Sequence, residues 1–467
     1  PQKVPKLIDL YMDHWPSLFF VWWAAACLIH AFTIKILSEA GVEIVSSLIF
    51  NYHVLLSVSL VIGFPFVLSI LKSTKTSNVI ENLLQGSYAK FKRLAKKGPT
   101  GIISPEEHAK IQYQLFEELN QLMDLLVFVP FKEPKSQIIE GIGELLRYYV
   151  KLKPKFPEDF YKIDQQIHDD ISFRTLKSLL AEVEKSHTFY EQKSFRMIGN
   201  VYNVFLDKGE FDLSTLCVEQ LSQVGKTAME CDDQELIEVI TVRLNTYFRF
   251  ALKHGQHNNE PRNLYNLVFH YGQFLNYLVE HRQVDRVKTC IGYFVFYGQQ
   301  CFNAIPRARS LAFILDILAS EMQKLMQIIY QNNWERKLQQ ELLQKFLLFD
   351  NFQDMDKEIA KQFFSQNHGI RLLHIGLALF YLNQNEKEFA ETIAKDTLQD
   401  LLLMGEPLFS KTMDTIFARL QYSGAKFWED TDRGNVNIYY TPYQYEIEYF
   451  KKLQVKFKLE SQKKIPA

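Results

Sequence analysis

Three short stretches hold residue types that could bind a metal, move a proton or cradle a phosphate. His254 and His257 form an HxxH pair, but no carboxylate stands at ligand spacing from them, which favours a solvated loop over a metal site. Gly225-Lys226-Thr227 matches the end of a phosphate-binding loop, yet Gln220 stands where its first glycine belongs, and a helical segment is expected there. His168-Asp169-Asp170 is interpreted as a helix end followed by the next N-cap. None of these stretches predicts a reaction.

The remaining sequence offers no nucleophile motif and no cofactor motif. The cysteines show no CxxC spacing and are interpreted as reduced thiols of a cytosolic domain; they are Cys27, Cys217, Cys231, Cys290 and Cys301. No GxSxG or HExxH occurs, so we predict no enzyme, no cofactor and no metal site. An enzyme with an unrecognised helical active site, for example one acting on lipid, is the catalytic alternative. The formal net charge of −1 also argues against a nucleic-acid partner.

Two long uncharged stretches lie near the N-terminus. No charged residue occurs in the 21 residues between Asp13 and Lys35, or in the 28 between Glu43 and Lys72. A bilayer core needs about 20 apolar residues in helical form. The sequence therefore predicts a two-helix membrane hairpin. A cleaved signal and a buried helix pair of a soluble protein are the weaker interpretations. Ala24-Ala25-Ala26-Cys27 loosely resembles a lipobox, but a signal peptide begins with basic residues, whereas Asp9 and Asp13 are acidic.

Flanking charge predicts the orientation of this hairpin. Seven basic residues against one acid, Glu81, follow the second stretch; they are Lys72, Lys75, Lys90, Lys92, Arg93, Lys96 and Lys97. The positive-inside rule places this segment in the cytoplasm, and with two spans the N-terminus is cytoplasmic too. The same residues could attract anionic lipid, or could serve only to set topology.

Small residues on the two predicted helices could let them approach each other or a neighbouring copy. They are Ala24, Cys27 and Ala31 on the first helix and Ser59 and Gly63 on the second. Gly63 and Pro65 are expected to kink the second helix. His30, an ionisable group inside the first span, is interpreted as a packing residue rather than a proton or metal site.

The remaining four-fifths of the chain has helical periodicity. Ser104, Pro105 and Glu107 form a capping box before an amphipathic helix, and a further helix is expected over about 136–152. From about 206 to 407, polar and glycine-containing clusters separate apolar-periodic segments of about 12 to 24 residues. Helices of that length with short turns predict antiparallel pairs stacked as an α-solenoid.

Two segments resemble tetratricopeptide repeats. In the first, the residues at consensus spacing are Leu377, Ala378, Tyr381, Asn385, Ala390 and Thr397. In the second, Ile198-Gly199 and Tyr202 match, but the turn at Gly209 comes about one helical turn late. Pair periods of about 46–51 residues around 206–333 depart from the 34-residue repeat. The resemblance covers about 60 residues and implies a partner-binding concave face.

The segment 443–459 alternates apolar and polar residues on both sides of Lys451. Alternation with a period of two is a strand pattern. It predicts a small β-hairpin whose cross-strand neighbours include Ile447 with Val455 and Tyr445 with Phe457. Its proposed intersubunit positions are Tyr445, Ile447, Tyr449, Leu453, Val455 and Phe457. A helix is the alternative, because Glu446 and Glu448 precede the lysines.

These observations predict a mostly α protein of five segments: a cytoplasmic N-terminus (1–15), a membrane hairpin (16–72), basic juxtamembrane helices (73–155), a solenoid (156–425) and a C-terminal tail (426–467). We expect a plasma- or inner-membrane scaffold that binds the proteins of a larger membrane-associated complex. The alternative is a homo-oligomeric channel or mechanosensitive-type pore in which the solenoids form a vestibule. The absence of a polar stripe on either apolar helix argues against an open lumen.

Overall fold

The computed structural model describes residues 15–73, 75–168, 177–350, 367–426 and 436–462, together with the single positions 170, 173, 358, 361 and 363. In these residues the chain is mostly α-helical, and the β-pairing described is one isolated antiparallel bridge, Lys426 to Val436. The predicted mostly α fold is confirmed. The chain divides into two compact units, one ending at Ser194 and the other beginning at Phe195.

The first unit starts with two apolar helices. Helix α1 is Trp15–Glu39. The second apolar stretch is α2 (Val45–Phe50), a π-helix (Asn51–Leu55) and α3 (Leu56–Ser73). Helices α4 (Thr76–Lys97), α5 (Pro105–Phe128) and α6 (Lys132–Leu152) follow, and short helices α7 (Gln165–His168) and α8 (Leu180–Lys185) complete the series.

The start of α5 follows from its sequence. The Ser104 hydroxyl accepts a hydrogen bond from the Glu107 backbone N–H at 3.3 Å, and Pro105 occupies the first helical position. A side-chain oxygen at the N-cap satisfies an amide that has no partner within the helix, and proline lacks that amide. The predicted N-cap at Ser104 is therefore confirmed, whereas the Glu107 carboxylate, the other half of the predicted capping box, pairs with Arg93 and Lys97.

The second unit begins inside helix α9 (Phe189–Lys208). After α9 it continues as a series of helix pairs. The pairs are α10–α11 (Phe211–Glu230, Gln234–Asn258), α12–α13 (Arg262–Glu280, Val284–Ala304), α14–α15 (Leu311–Gln331, Arg336–Leu347) and α16–α17 (Gly369–Asn383, Lys387–Thr397). Helices α18 (Gln399–Met404), α19 (Glu406–Tyr422) and α20 (Ile447–Gln462) follow.

The same turn joins the two helices of each pair. One residue in each turn has a left-handed backbone with φ of 50–61°: Asp232, Arg282, Asn333 and Asn385. Each turn is closed by the hydrogen bonds of a helix C-terminus, for example Gln283 N–H to the Leu278 carbonyl at 2.9 Å. These positions recur every 50–52 residues, a spacing that follows from their residue numbers. The predicted helical repeat is confirmed, with a period longer than the 34 residues of the family that two segments resemble.

Successive pairs form two layers of helices. The first helices (α10, α12, α14, α16) contact one another, as do the second helices (α11, α13, α15, α17). In the first-helix layer, Ser214 donates a hydrogen bond to Asn263 at 2.9 Å. In the second-helix layer, Tyr297 donates to the Asn245 carbonyl at 2.9 Å. The two layers enclose an apolar core rich in Leu, Ile, Phe and Tyr.

The predicted C-terminal β-hairpin is wrong, because Ile447–Gln462 is the helix α20. Its buried positions include Ile447, Phe450, Leu453 and Phe457, which recur at helical spacing. Of the other positions predicted on the strands, Tyr445 precedes the helix, and Tyr449 and Val455 lie on the helix and are exposed. The tertiary contacts therefore select the helical period over the alternating one.

Candidate membrane anchor and candidate partner surface

The two apolar helices pack against each other through small and aromatic side chains. The Trp23 indole N–H donates to the Ser59 hydroxyl at 3.1 Å, and the Cys27 Sγ lies 3.8 Å from the same oxygen. The Phe20 and Phe66 rings stack with centroids 4.0 Å apart. These contacts satisfy polar groups that would otherwise face an apolar medium.

Some of the predicted small residues lie in the contact between the two apolar helices, and others lie on the exposed surface of the pair. Cys27, Ser59 and Gly63 are half-buried, and a Cβ on Gly63 would lie 3.8 Å from the Phe20 ring. Ala24 and Ala31 are exposed in the single chain, so they do not line this contact. Helix α3 continues through Gly63 and Pro65, so the kink expected there stays a prediction. The irregular part of this apolar stretch is the π-helix at Asn51–Leu55.

The outward surface of this helix pair is apolar along its length. Trp22, Val61 and Phe64 are 70–76% exposed. Phe19–Glu39 and Val45–Phe64 are long and apolar enough to cross a membrane by length and composition. Such an apolar surface is costly to expose to water.

The basic segment after the helix pair is partly neutralised by α5. Arg93 and Lys97 both pair with Glu107, at 2.8 and 2.7 Å, and Lys90 pairs with Glu118. The hydrogen bond from Lys97 holds the pKa of Glu107 below its usual value. Lys75, Lys92 and Lys96 are exposed, and the Lys72 side chain lies outside the described residues. Composition alone could not show which of the seven charges are paired.

In the second unit, the chain's own C-terminal segment covers part of the first-helix layer. The Tyr439 hydroxyl donates to Asp316 of α14 at 2.7 Å, and the Tyr443 ring meets Phe380 of α16 with centroids 5.8 Å apart. A cavity of about 280 Å³ remains between this segment, α12 and α14, with lining that includes Tyr265, Phe269, Gln323 and Lys324. A partner would therefore compete with the tail on this part of the layer.

The second-helix layer carries an exposed apolar patch that sequence reasoning missed. Val242 of α11 is 53% exposed, and Tyr293 and Phe296 of α13 are 37% and 52% exposed. Phe248 stacks on Tyr297 with centroids 4.2 Å apart, so α11 and α13 are neighbours. Val242 and Tyr293 are 51 residues apart, which is the repeat spacing, so they occupy equivalent positions on these two helices. The repeat spacing was the available signal, since it aligns these residues on one face. We call these three residues the apolar patch.

Of the three motifs with possible chemistry, two lie inside helices and His168 ends α7, while Asp169 lies outside the described residues. Gly225-Lys226-Thr227 lies inside α10, and Lys226 Nζ sits 5.3 Å from the centre of the Tyr277 ring. His254 and His257 lie in the last turns of α11, so the expected loop there is wrong. The His30 ring meets Phe50 edge-on at 6.2 Å. Across the ranges described above, no group of three His, Cys, Asp or Glu side chains could hold a metal ion.

Comparison with known proteins assigns neither a family nor a function. No protein-family model matches the chain, and no curated protein matches it. A solved structure with some similarity is a circular tandem repeat protein with novel repeat topology and enhanced subunit contact surfaces. It is 12% identical over 96% of this chain and 99% of that chain, with a TM-score of 0.38. The chain's own repeated turns and layers define its class, an α-helical repeat protein.

Proposed function

We propose that this protein is a membrane-anchored scaffold, which binds partner proteins of a membrane-associated complex through its helical repeat. The observation that carries the proposal is the exposed apolar helix pair at the N-terminus, covalently joined to a repeat with an exposed apolar patch. An apolar pair of this length suits a membrane span, and a repeat without a metal-ligand cluster in its described part suits binding better than catalysis.

The finer likeness to tetratricopeptide repeats is proposed for α16–α17. The turn at Asn385 separates the two helices, and Tyr381 stacks on Phe389 with ring centroids 4.8 Å apart. Ala390 is fully buried where a small residue lets helices approach. The pair nevertheless belongs to the longer period, because its turn residue Asn385 follows Asn333 by 52 residues. The protein-binding role of such repeats therefore supports the scaffold by analogy.

The anchor is tested by comparing the full chain with a variant that lacks residues 1–74. After expression in cells, the full chain should float with membranes on a density gradient and stay there after an alkaline carbonate wash. The shortened variant should remain in the soluble fraction, provided that it is folded by circular dichroism. Release of the full chain by carbonate would contradict a spanning anchor, because a peripheral protein is released in that way.

The partner surface is tested at the apolar patch. The full chain, extracted in mild detergent and cross-linked, should recover a stoichiometric set of other proteins. Val242→Asp together with Phe296→Ser should lower that recovery at least about ten-fold, as expected when an interface centre is lost. The matched control is Leu402→Asp, because Leu402 is 90% exposed but lies on α18. A homomeric ring without other proteins would favour the channel alternative.

A further inference from the structure

The turn between α5 and α6 exposes a cluster of apolar side chains in the first unit. Val127 is 64%, Phe128 68% and Phe131 72% exposed. The turn is short and extended, since Val129 and Phe131 have φ of −74° and −86°, and Pro130 restricts the backbone between them. Two exposed phenylalanines with a valine are costly in water, which indicates a surface that contacts something apolar. We call Val127–Phe131 the apolar turn.

Contacts between α4 and α5 locate one side of the apolar turn. Lys97 meets Glu107 at 2.7 Å, while Ser87, further back along α4, donates to Glu118 at 2.5 Å. As the residue number on α4 falls, the number of its contact partner on α5 rises, so the two helices are antiparallel. Continued to the end of α5, this register places Phe128 beside the first turn of α4, which begins at Thr76.

Contacts between α4 and α6 locate the other side independently. The Tyr88 and Tyr148 rings meet with centroids 5.0 Å apart, and Phe91 and Tyr149 meet at 5.1 Å. Both pairs keep an offset of about 60 residues, so α6 begins level with the beginning of α4. The two registers agree that the apolar turn lies at the start of α4.

The start of α4 is also where the second apolar helix ends. Helix α3 ends at Ser73 and α4 begins at Thr76, so these two Cα atoms are no more than about 11 Å apart. If α3 crosses a bilayer, the apolar turn then stands at the level of the lipid headgroups. Lys75, exposed at this junction, suits the same boundary.

We propose that the apolar turn inserts into the headgroup–acyl boundary of the leaflet at which α3 ends. The occupant of this surface is lipid, and the contact would fix how the α4–α6 unit stands on the membrane. Phenylalanine side chains on a rigid turn can enter that boundary without a further span. This inference rests on the proposed anchor.

The experiment places a fluorescent label at Phe128 and compares it with one at Ile102. Ile102 is 87% exposed but lies in the turn between α4 and α5, about 30 Å along the helices from the apolar turn. Phe128→Cys and Ile102→Cys are made in full-length protein with Cys27 and Cys231 replaced by serine, and each is labelled with an environment-sensitive NBD group. Each protein is reconstituted in vesicles of phosphatidylcholine and phosphatidylglycerol, with and without a doxyl lipid that quenches near the headgroup.

The label at Phe128 should be quenched at least about two-fold more than the label at Ile102, because only the former would reach lipid. Equal, weak quenching in protein that floats with the vesicles would overturn the inference and leave the anchor intact. Protection of Phe128 from aqueous iodide without lipid quenching would also overturn it, in favour of a second copy or a protein partner. Protein that does not float would instead refute the proposed anchor.

Discussion

Arg371 is the centre of a buried charge network in the second unit. It is 5% exposed, and its Nε and Nη2 atoms donate to both carboxylate oxygens of Asp400 at 2.6 and 2.7 Å. Its Nη1 donates to Asp396 at 2.5 Å. Burial, and then the Arg371 charge, hold the pKa of His374 well below its usual value, so this histidine is neutral. The network joins α16 to the helices that follow it.

Replacing Arg371 should destabilise the fold strongly. Arg371→Met leaves buried carboxylates without their cation, which typically costs about 3–5 kcal/mol. The matched control is Arg336→Met, since Arg336 pairs with Glu386 and Glu388 at 2.7 and 2.9 Å but is 50% exposed. An exposed pair of this kind contributes about 0–1 kcal/mol. Chemical unfolding of the detergent-solubilised full chain measures both, and equal losses would mean that burial does not govern the effect.

Asp316 should give the second unit a pH-dependent stability. Burial raises the pKa of Asp316 to about 6, despite the hydrogen bond from Tyr439 and the nearby Arg419 charge, which lower it. The folded state therefore holds a proton that the unfolded state releases near pH 4. The stability that this proton provides is fully present below about pH 4 and is lost as the pH rises through about 6.

The variant Asp316→Asn removes this titration. Relative to the variant, wild type should lose of the order of 1–2 kcal/mol of unfolding free energy between about pH 4 and 7. Tyr439→Phe removes the hydroxyl that stabilises the charged carboxylate, so the loss should extend to higher pH. Unfolding at a series of pH values measures the difference, and parallel pH profiles for wild type and Asp316→Asn would contradict the prediction.

At the scale of elements, two glycines inside helices differ in how much space surrounds them. A Cβ on Gly225 of α10 would lie 2.7 Å from the Phe274 ring, whereas one on Gly292 of α13 would have nothing within 4 Å. Alanine stabilises a helix by about 0.5–1 kcal/mol relative to glycine. Overpacking a core costs about 1–3 kcal/mol. The same substitution should therefore have opposite signs at the two sites.

Gly225→Ala should lower the unfolding free energy by about 1 kcal/mol or more, and Gly292→Ala should raise it by about 0.5–1 kcal/mol. Thermal unfolding followed by circular dichroism of the full chain in detergent compares the two variants. Stabilisation by both would show that Phe274 moves aside without cost and that the crossing is loosely packed.

Helix ends and turns could be predicted where they depend on residues close together in the sequence. The α5 cap depends on Ser104 and Glu107, which are three residues apart, and the repeated turns depend on short polar clusters. The C-terminal segment was not predictable in this way. Ile447, Leu453 and Phe457 fit both an alternating and a helical pattern, and packing decides between them. Gln454, for instance, donates to Thr397 of α17 at 2.8 Å, a contact between residues 57 apart.

At the scale of the whole molecule, the sequence reveals the two apolar helices but not the apolar patch. Hydropathy is summed over residues that are adjacent in sequence. Two apolar helices could therefore be predicted from stretches of 21 and 28 uncharged residues. The apolar patch depends on Val242 and Tyr293 occupying equivalent positions in separate helix pairs. The apolar turn depends on two helix registers. Each needs contacts between residues distant in sequence.

The distribution of charge leads to a last prediction, about orientation. The basic segment after α3 should stay in the cytoplasm, which places the turn between α1 and α2 on the opposite side. With native Cys27 and Cys231 replaced by serine, Ala40→Cys should react with a membrane-impermeant maleimide in intact cells. Leu402→Cys, on a residue of the second unit that is 90% exposed, should react only after lysis.

The reverse pattern would mean that the seven basic residues do not set the topology. Labelling of both in intact cells would mean that the helix pair does not cross the membrane, because a pair that only rests on one surface leaves both sites on the same side.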